Sequence, residues 1–191
     1  MTGGPRPTGP PRSVTPPIPS RNFLAKTLAA AAGAALLFFI LSAPGKKGLA
    51  PGSPAPVFAL TDIGGRTISL SDYKGKVLLV DFWATWCGSC EEDVPELKAL
   101  YQEFERGQFG IVAASVDEGG PELVARYAAE HALPYPVVFA GEDTTRDYRI
   151  FGLPTKFLID PKGRIYRKYL ADVSREEIAS DIRSLLSRRD S

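Results

Sequence analysis

Apolar and polar positions fall into blocks along this chain, and the blocks predict strands alternating with helices. Residues 27–43 form an uncharged, mainly apolar run of 17. With residues 22–25 behind Lys26, it reaches the lower limit for a membrane span. A Gly/Pro-rich gap follows, and then two short strand-like pieces, 57–60 and 67–70, around the turn Asp62-Ile63-Gly64-Gly65. Residues 76–82 are a compact apolar run closed by Phe82, the pattern of a buried strand. Across 91–105, Val94, Leu97, Leu100, Tyr101 and Phe104 recur at helical spacing. A second buried strand is predicted over 109–116, and a helix over 121–132 with Pro121 at its start. A short strand is expected at 135–139 and a short helix at 143–151. Segments 155–159 and 164–169 predict a hairpin around Asp160-Pro161-Lys162-Gly163. Ser174 is placed to cap a last amphipathic helix with Ile178, Ile182, Leu185 and Leu186 inward. This alternation predicts an α/β layered domain with no internal repeat.

Charge divides the chain. Residues 1–50 hold six basic groups and no acid, whereas 51–191 hold 17 basic and 22 acidic groups, a net of −5. A mildly acidic domain without a basic stripe argues against a nucleic-acid partner. Residues 1–21, rich in Pro, Gly, Ser and Thr, predict a disordered tail that cannot bury a core. Arg6, Arg12, Arg21 and Lys26 precede the apolar run and only Lys46 and Lys47 follow it, so the tail is expected in the cytoplasm. Cleavage after Ala43 would put Leu41 at the third position back and Pro44 just after the cut, a poor signal-peptide pattern. The expected order is therefore a cytoplasmic tail (1–21), an uncleaved transmembrane signal anchor (22–43), a linker (44–55) and an extracytoplasmic domain (56–188).

The two cysteines carry the candidate chemistry. Cys87-Gly88-Ser89-Cys90 lies where the strand at 76–82 hands over to the helix. Unpaired N–H groups and the dipole at a helix start favour a negative charge. Cys87 should thus be the more exposed thiol and ionise below the ~8.5 of a free cysteine. A thiolate is the nucleophile of thiol–disulfide exchange. Cys90, one turn on, can attack a mixed disulfide at Cys87 and release the partner. A purely structural disulfide would close too short a loop to constrain the unfolded chain much. Half a zinc site would lack ligands, since there is no third cysteine and the single histidine, His131, is distant. No metal and no cofactor is expected.

The run Val80-Asp81-Phe82-Trp83-Ala84-Thr85-Trp86-Cys87-Gly88-Ser89-Cys90, with Pro95 after it, resembles the active site of the thioredoxin fold. Gly152-Leu153-Pro154-Thr155 resembles that fold's cis-proline loop. Residues 51–58 and 70–76, with the extra helix and strand between 117 and 142, are similar to the membrane-anchored TlpA/ResA-type proteins. The resemblance spans about residues 50–188. It implies a thioredoxin-like α/β fold: a central mixed β-sheet flanked by helices, an N-terminal β extension and a helix–strand insertion, behind a single transmembrane helix. It implies a domain outside the bacterial cytoplasmic membrane that exchanges disulfides with proteins. Apocytochrome c thiols and a membrane electron donor are the implied partners.

By the same resemblance, Asp81 sits under Cys90 and takes its proton. A cis Pro154 places the Leu153 backbone beside Cys87 for β-pairing with an extended substrate. Trp86 would cover the thiol, with Gly88 and Ser89 completing the substrate surface, and Trp83 would stand at the active-site surface; packing alone is the other reading of both tryptophans. Ser89 stands where this family usually has proline, and it supplies a backbone N–H and a hydroxyl near the thiolate. Glu91, Glu92 and Asp93 suit the helix dipole but repel a thiolate. The lysine that thioredoxin keeps near its buried acid is not evident in Val112-Ala113-Ala114-Ser115. His131 reads as a surface residue at a helix end, and Asp117-Glu118-Gly119-Gly120 as a solvated loop. Two other functions compete: a peroxiredoxin-like peroxidase, whose usual Pro-x-x-x-Thr pattern is missing, and a non-catalytic thioredoxin-fold binding module.

Overall fold

The computed structural model describes residues 49–104, 106–171 and 173–188. The expected tail, the anchor at 22–43 and the first residues of the linker lie outside them. Among the described residues, no helix is long and apolar enough to cross a membrane.

The elements follow the apolar blocks. In order they are β1 (Ala59–Thr61), β2 (Thr67–Ser69), β3 (Val77–Trp83), α1 (Gly88–Glu103), β4 (Phe109–Ser115) and α2 (Pro121–Glu130). Then come β5 (Val137–Phe139), α3 (Glu142–Asp147), β6 (Thr155–Ile159), β7 (Ile165–Tyr169) and α4 (Arg175–Ser187). β1 and β2 form a separate antiparallel pair. The main sheet has the order β5-β4-β3-β6-β7. It is mixed: β3–β4 and β4–β5 are parallel, β3–β6 and β6–β7 antiparallel.

Side-chain alternation along β3 sorts the core into two layers. Val77, Leu79 and Trp83 join Leu97 and Leu100 of α1, Val124 of α2 and Ile178 and Ile182 of α4. Leu78, Val80 and Phe82 face the other way, against Phe58, Tyr148 and Phe157. β3 and β4 are buried along their whole length, which is why they read as continuous apolar runs. Tyr148 anchors the second layer: its ring meets Phe58, Phe82 and Phe157, and its hydroxyl donates to the Pro56 carbonyl at 2.8 Å. Residues 52 and 55, within the expected linker, are bonded to the domain through Gly52 N–H to Ile165 O and Ala55 N–H to Gly163 O.

Local chemistry sets the ends of the elements. Ser174 caps α4 by accepting from the Glu177 N–H. The β6–β7 turn is held by Asp160 Oδ1, which accepts from the Lys162 and Arg164 N–H groups, with Gly163 at φ 74°. α3 ends in a Schellman arrangement: Ile150 N–H reaches Thr145 O, and Arg149 N–H reaches Arg146 O. Arg149, at φ 49°, takes the left-handed position usually given to glycine.

Candidate active site

Cys87 and Cys90 are joined in a disulfide at the junction of β3 and α1. α1 begins at Gly88, three residues before the predicted start at 91. The reason is local: Cys87 is extended, at φ −93° and ψ 101°, and its sulfur accepts the Cys90 N–H at 3.3 Å, so it acts as the N-cap. Sulfur is not among the usual capping groups, and the apolar periodicity starts only at Val94. The Ser89 hydroxyl lies 3.6 Å from Cys87 Sγ. Both cysteines are buried in this oxidised form, Cys87 at 8% exposure and Cys90 at 4%.

The Leu153–Pro154 peptide is cis. Leu153 and Gly152 line the same groove as Cys87, Gly88, Ser89 and Trp86, a depression of about 530 Å³. The structure therefore brings together the residues predicted for the sulfur and for the loop facing it. The two tryptophans part company, and for Trp83 the packing reading holds. Trp83 is 3% exposed and packs on Tyr127 at 4.9 Å between ring centroids, so it belongs to the core rather than to the active-site surface. Alternation along β3 turns it inward. Trp86 is 69% exposed and stands at the rim of the groove.

Beneath α1 lies a buried ionic group that sequence reasoning only half found. Asp81 on β3 and Lys156 on β6 are direct cross-strand partners. Alternation sends both side chains to the layer that holds Cys90 and Leu97. Lys156 Nζ lies 3.8 Å from Asp81 Oδ1 and 2.5 Å from Asp93 Oδ2 on α1. Asp93 is one helical turn past Cys90. Asp81 is 5% exposed and Lys156 2%, and Asp81 Oδ1 has no hydrogen-bond partner among the described residues. Burial pushes the Asp81 carboxyl up to about 6; the Lys156 ammonium pulls it back and the Asp93 carboxylate adds to the rise. The lysine sought in β4 is thus supplied by β6. Its signal was present: a cation inside an apolar strand, Thr155-Lys156-Phe157-Leu158-Ile159, two residues past the cis proline.

A second polar group holds the loop before Cys87. Asp117 accepts from the Thr85 hydroxyl at 2.6 Å, the Thr85 N–H at 3.0 Å and the Ser115 hydroxyl at 2.8 Å. The first acid of the expected solvated loop is therefore committed to the active-site loop. His131 ends α2 as predicted, but it is partly buried: it stacks on Tyr127 at 4.0 Å, with Nε2 4.0 Å from Glu91 Oε1.

The chemistry open to this arrangement is the making and breaking of one sulfur–sulfur bond. In this oxidised form the Cys87 sulfur faces the Cys90 N–H, the Ser89 hydroxyl and the start of α1, surroundings that favour a thiolate when the sulfur–sulfur bond is broken. No group of three or more metal-binding side chains occurs among the described residues.

Known proteins resemble this one across the domain. The model of the AhpC/TSA family matches residues 51–168. The thiol-disulfide oxidoreductase ResA of Geobacillus thermodenitrificans (strain NG80-2) is 35% identical, over 73% of this chain and 80% of that protein. ResA of Bacillus subtilis (strain 168) is 34% identical, over 74% and 79%. A crystal structure of a putative thiol:disulfide interchange protein DsbE from Chlorobium tepidum superposes with a TM-score of 0.68 at 30% identity, covering 73% of this chain and 99% of that one.

Proposed function

The chain belongs to the AhpC/TSA family and, within it, to the ResA-type thiol–disulfide oxidoreductases, and from that premise we propose a membrane-tethered, extracytoplasmic enzyme that exchanges disulfides with other proteins. The observation that carries the redox reading is the Cys87–Cys90 bond capping α1 in a groove shared with the Leu153–Pro154 loop.

In the reducing direction, the Cys87 thiolate attacks one sulfur of a partner disulfide. That bond breaks, one partner sulfur leaves as a thiolate, and the other is held on Cys87 as a mixed disulfide. Cys90 then loses its proton to Asp81 and attacks Cys87 Sγ. The Cys87–Cys90 bond re-forms and the second partner thiolate departs. Two electrons have passed from the protein dithiol to the partner. A dithiol donor recharges the protein by the same steps in reverse. Asp81 suits the proton step because burial keeps its affinity for a proton near neutrality. Leu153 offers backbone to an extended partner, while Trp86, Gly88 and Ser89 border the sulfur.

The tether rests on residues 22–43 and on the basic residues before them. The resemblance to TlpA/ResA-type proteins supports the cysteine pair of apocytochrome c, reduced from its disulfide to thiols, as substrate and a membrane protein as electron donor. The test takes the reduced full-length protein and a protein with one accessible disulfide. Thiol release from the partner should match disulfide formation at Cys87–Cys90, and Cys87→Ser should abolish it. Rapid stoichiometric consumption of peroxide with no exchange would favour the peroxidase. Cellular activity that survives Cys87→Ser with Cys90→Ser would favour a binding module. Extraction of the protein from membranes by alkaline carbonate would remove the tether.

A further inference from the structure

Two large aromatic side chains beside Cys87 are turned to solvent. Phe151 is 92% exposed and Trp86 is 69% exposed, and both line the groove that holds the reactive sulfur. Phe151 is held there between fixed points. Before it, the Schellman turn ends α3 and seats Ile150 against the second core layer. After it, the Gly152 carbonyl accepts from the Thr155 hydroxyl at 2.7 Å and the chain runs into the cis proline. Val116, Ile150 and Leu153 complete the apolar part of the lining, Ser89 and Thr145 add hydroxyls, and apart from Cys87 no lining residue carries an ionisable group. This stands out against residues 51–191, which hold 22 acidic and 17 basic groups.

We propose that Phe151 and Trp86 form an apolar clamp that selects an unfolded protein segment with a bulky apolar residue beside its reactive cysteine. The occupant follows from the chemistry: exchange at Cys87 requires a partner sulfur in this groove, so its neighbouring residues must cover the two rings. An uncharged, mainly apolar lining rewards an apolar neighbour and gives a charged one no opposite charge to pair with. Bulky apolar residues are mostly buried in folded proteins, so the clamp meets one mainly where the partner's chain is unfolded. Phe151 is thus a specificity-determining residue, distinct from the sulfur chemistry. The proposal rests on the redox reading and sharpens its substrate class.

The test uses the reduced full-length protein and three symmetric disulfides: a short peptide dimer with leucine beside its cysteine, the same dimer with serine there, and hydroxyethyl disulfide. The second-order rate of protein oxidation is measured for each and divided by the rate for hydroxyethyl disulfide. The leucine dimer should be favoured over the serine dimer about tenfold, equivalent to ~1.4 kcal/mol. Phe151→Ser should bring that ratio to within about twofold, and Phe151→Leu should restore most of it. A ratio that survives Phe151→Ser, or a wild-type protein that does not distinguish the dimers, would overturn the clamp. If none of the three disulfides oxidises the wild-type protein, the redox reading fails and the clamp with it.

Discussion

Replacing Asp81 with asparagine should shift the stability of the oxidised protein, relative to wild type, steadily upward as pH rises from 4 to 8. The carboxyl is buried and its pKa is raised from 3.8 to about 6, first by desolvation and further by Asp93, against the pull of Lys156. Between those two values the folded protein holds a proton that the unfolded chain has lost. The contribution of Asp81 to stability is therefore full below pH 4 and declines as pH rises through 6. A gap of about two pKa units corresponds to ~3 kcal/mol. Asparagine does not titrate, and Lys156 keeps Asp93 as its partner. The difference in unfolding free energy, variant minus wild type, should thus rise by about 3 kcal/mol between pH 4 and pH 8. Any constant offset from the lost Lys156 contact drops out of that slope. The assay is urea unfolding of the full-length protein with its disulfide intact, at fixed ionic strength, followed by tryptophan fluorescence. A flat difference curve would refute the reasoning: Asp81 would ionise as readily in the fold as in the unfolded chain, and would have no special fitness to accept a proton.

The other charges of the group should act in opposite directions. Lys156→Met should raise, and Asp93→Asn lower, the pH midpoint of mixed-disulfide resolution by Cys90, each by about one pH unit or more, because one change removes the cation near Asp81 and the other its competitor; shifts of the same sign would contradict this. Gly110→Ala should lower stability by ~1–3 kcal/mol, since an added Cβ would lie 2.5 Å from Tyr73 Cε1. Tyr73→Leu in that background should recover part of the loss, and chemical denaturation of both variants checks it.

Much of the fold was legible because its blocks are unambiguous. β3 and β4 are buried on both faces and read as uninterrupted apolar runs, and β6–β7 announces itself through Asp160 and Gly163. The start of α1 was not legible, because its cap is a cysteine sulfur. The sulfur pair and the cis proline were visible as motifs. Lys156 was missed because cross-strand register, which pairs it with Asp81, is not written in either strand alone. Asp117 was missed for a similar reason: its donors Thr85 and Ser115 come from two separated segments. Trp83 and Trp86 have the same chemistry, and only the alternation of β3 and its end at Trp83 decide which is core and which is rim.

The exchange chemistry depends on the inequality of two sulfurs, and a covalent trap measures it directly. Reduced Cys90→Ala and reduced Cys87→Ala proteins are each mixed with the leucine peptide dimer, and the adducts are weighed by intact-mass spectrometry. A one-to-one peptide adduct is expected on Cys87 in the first protein, accumulating at least ten times faster than any adduct on Cys90 in the second. Equal rates, or faster capture by Cys90, would contradict it.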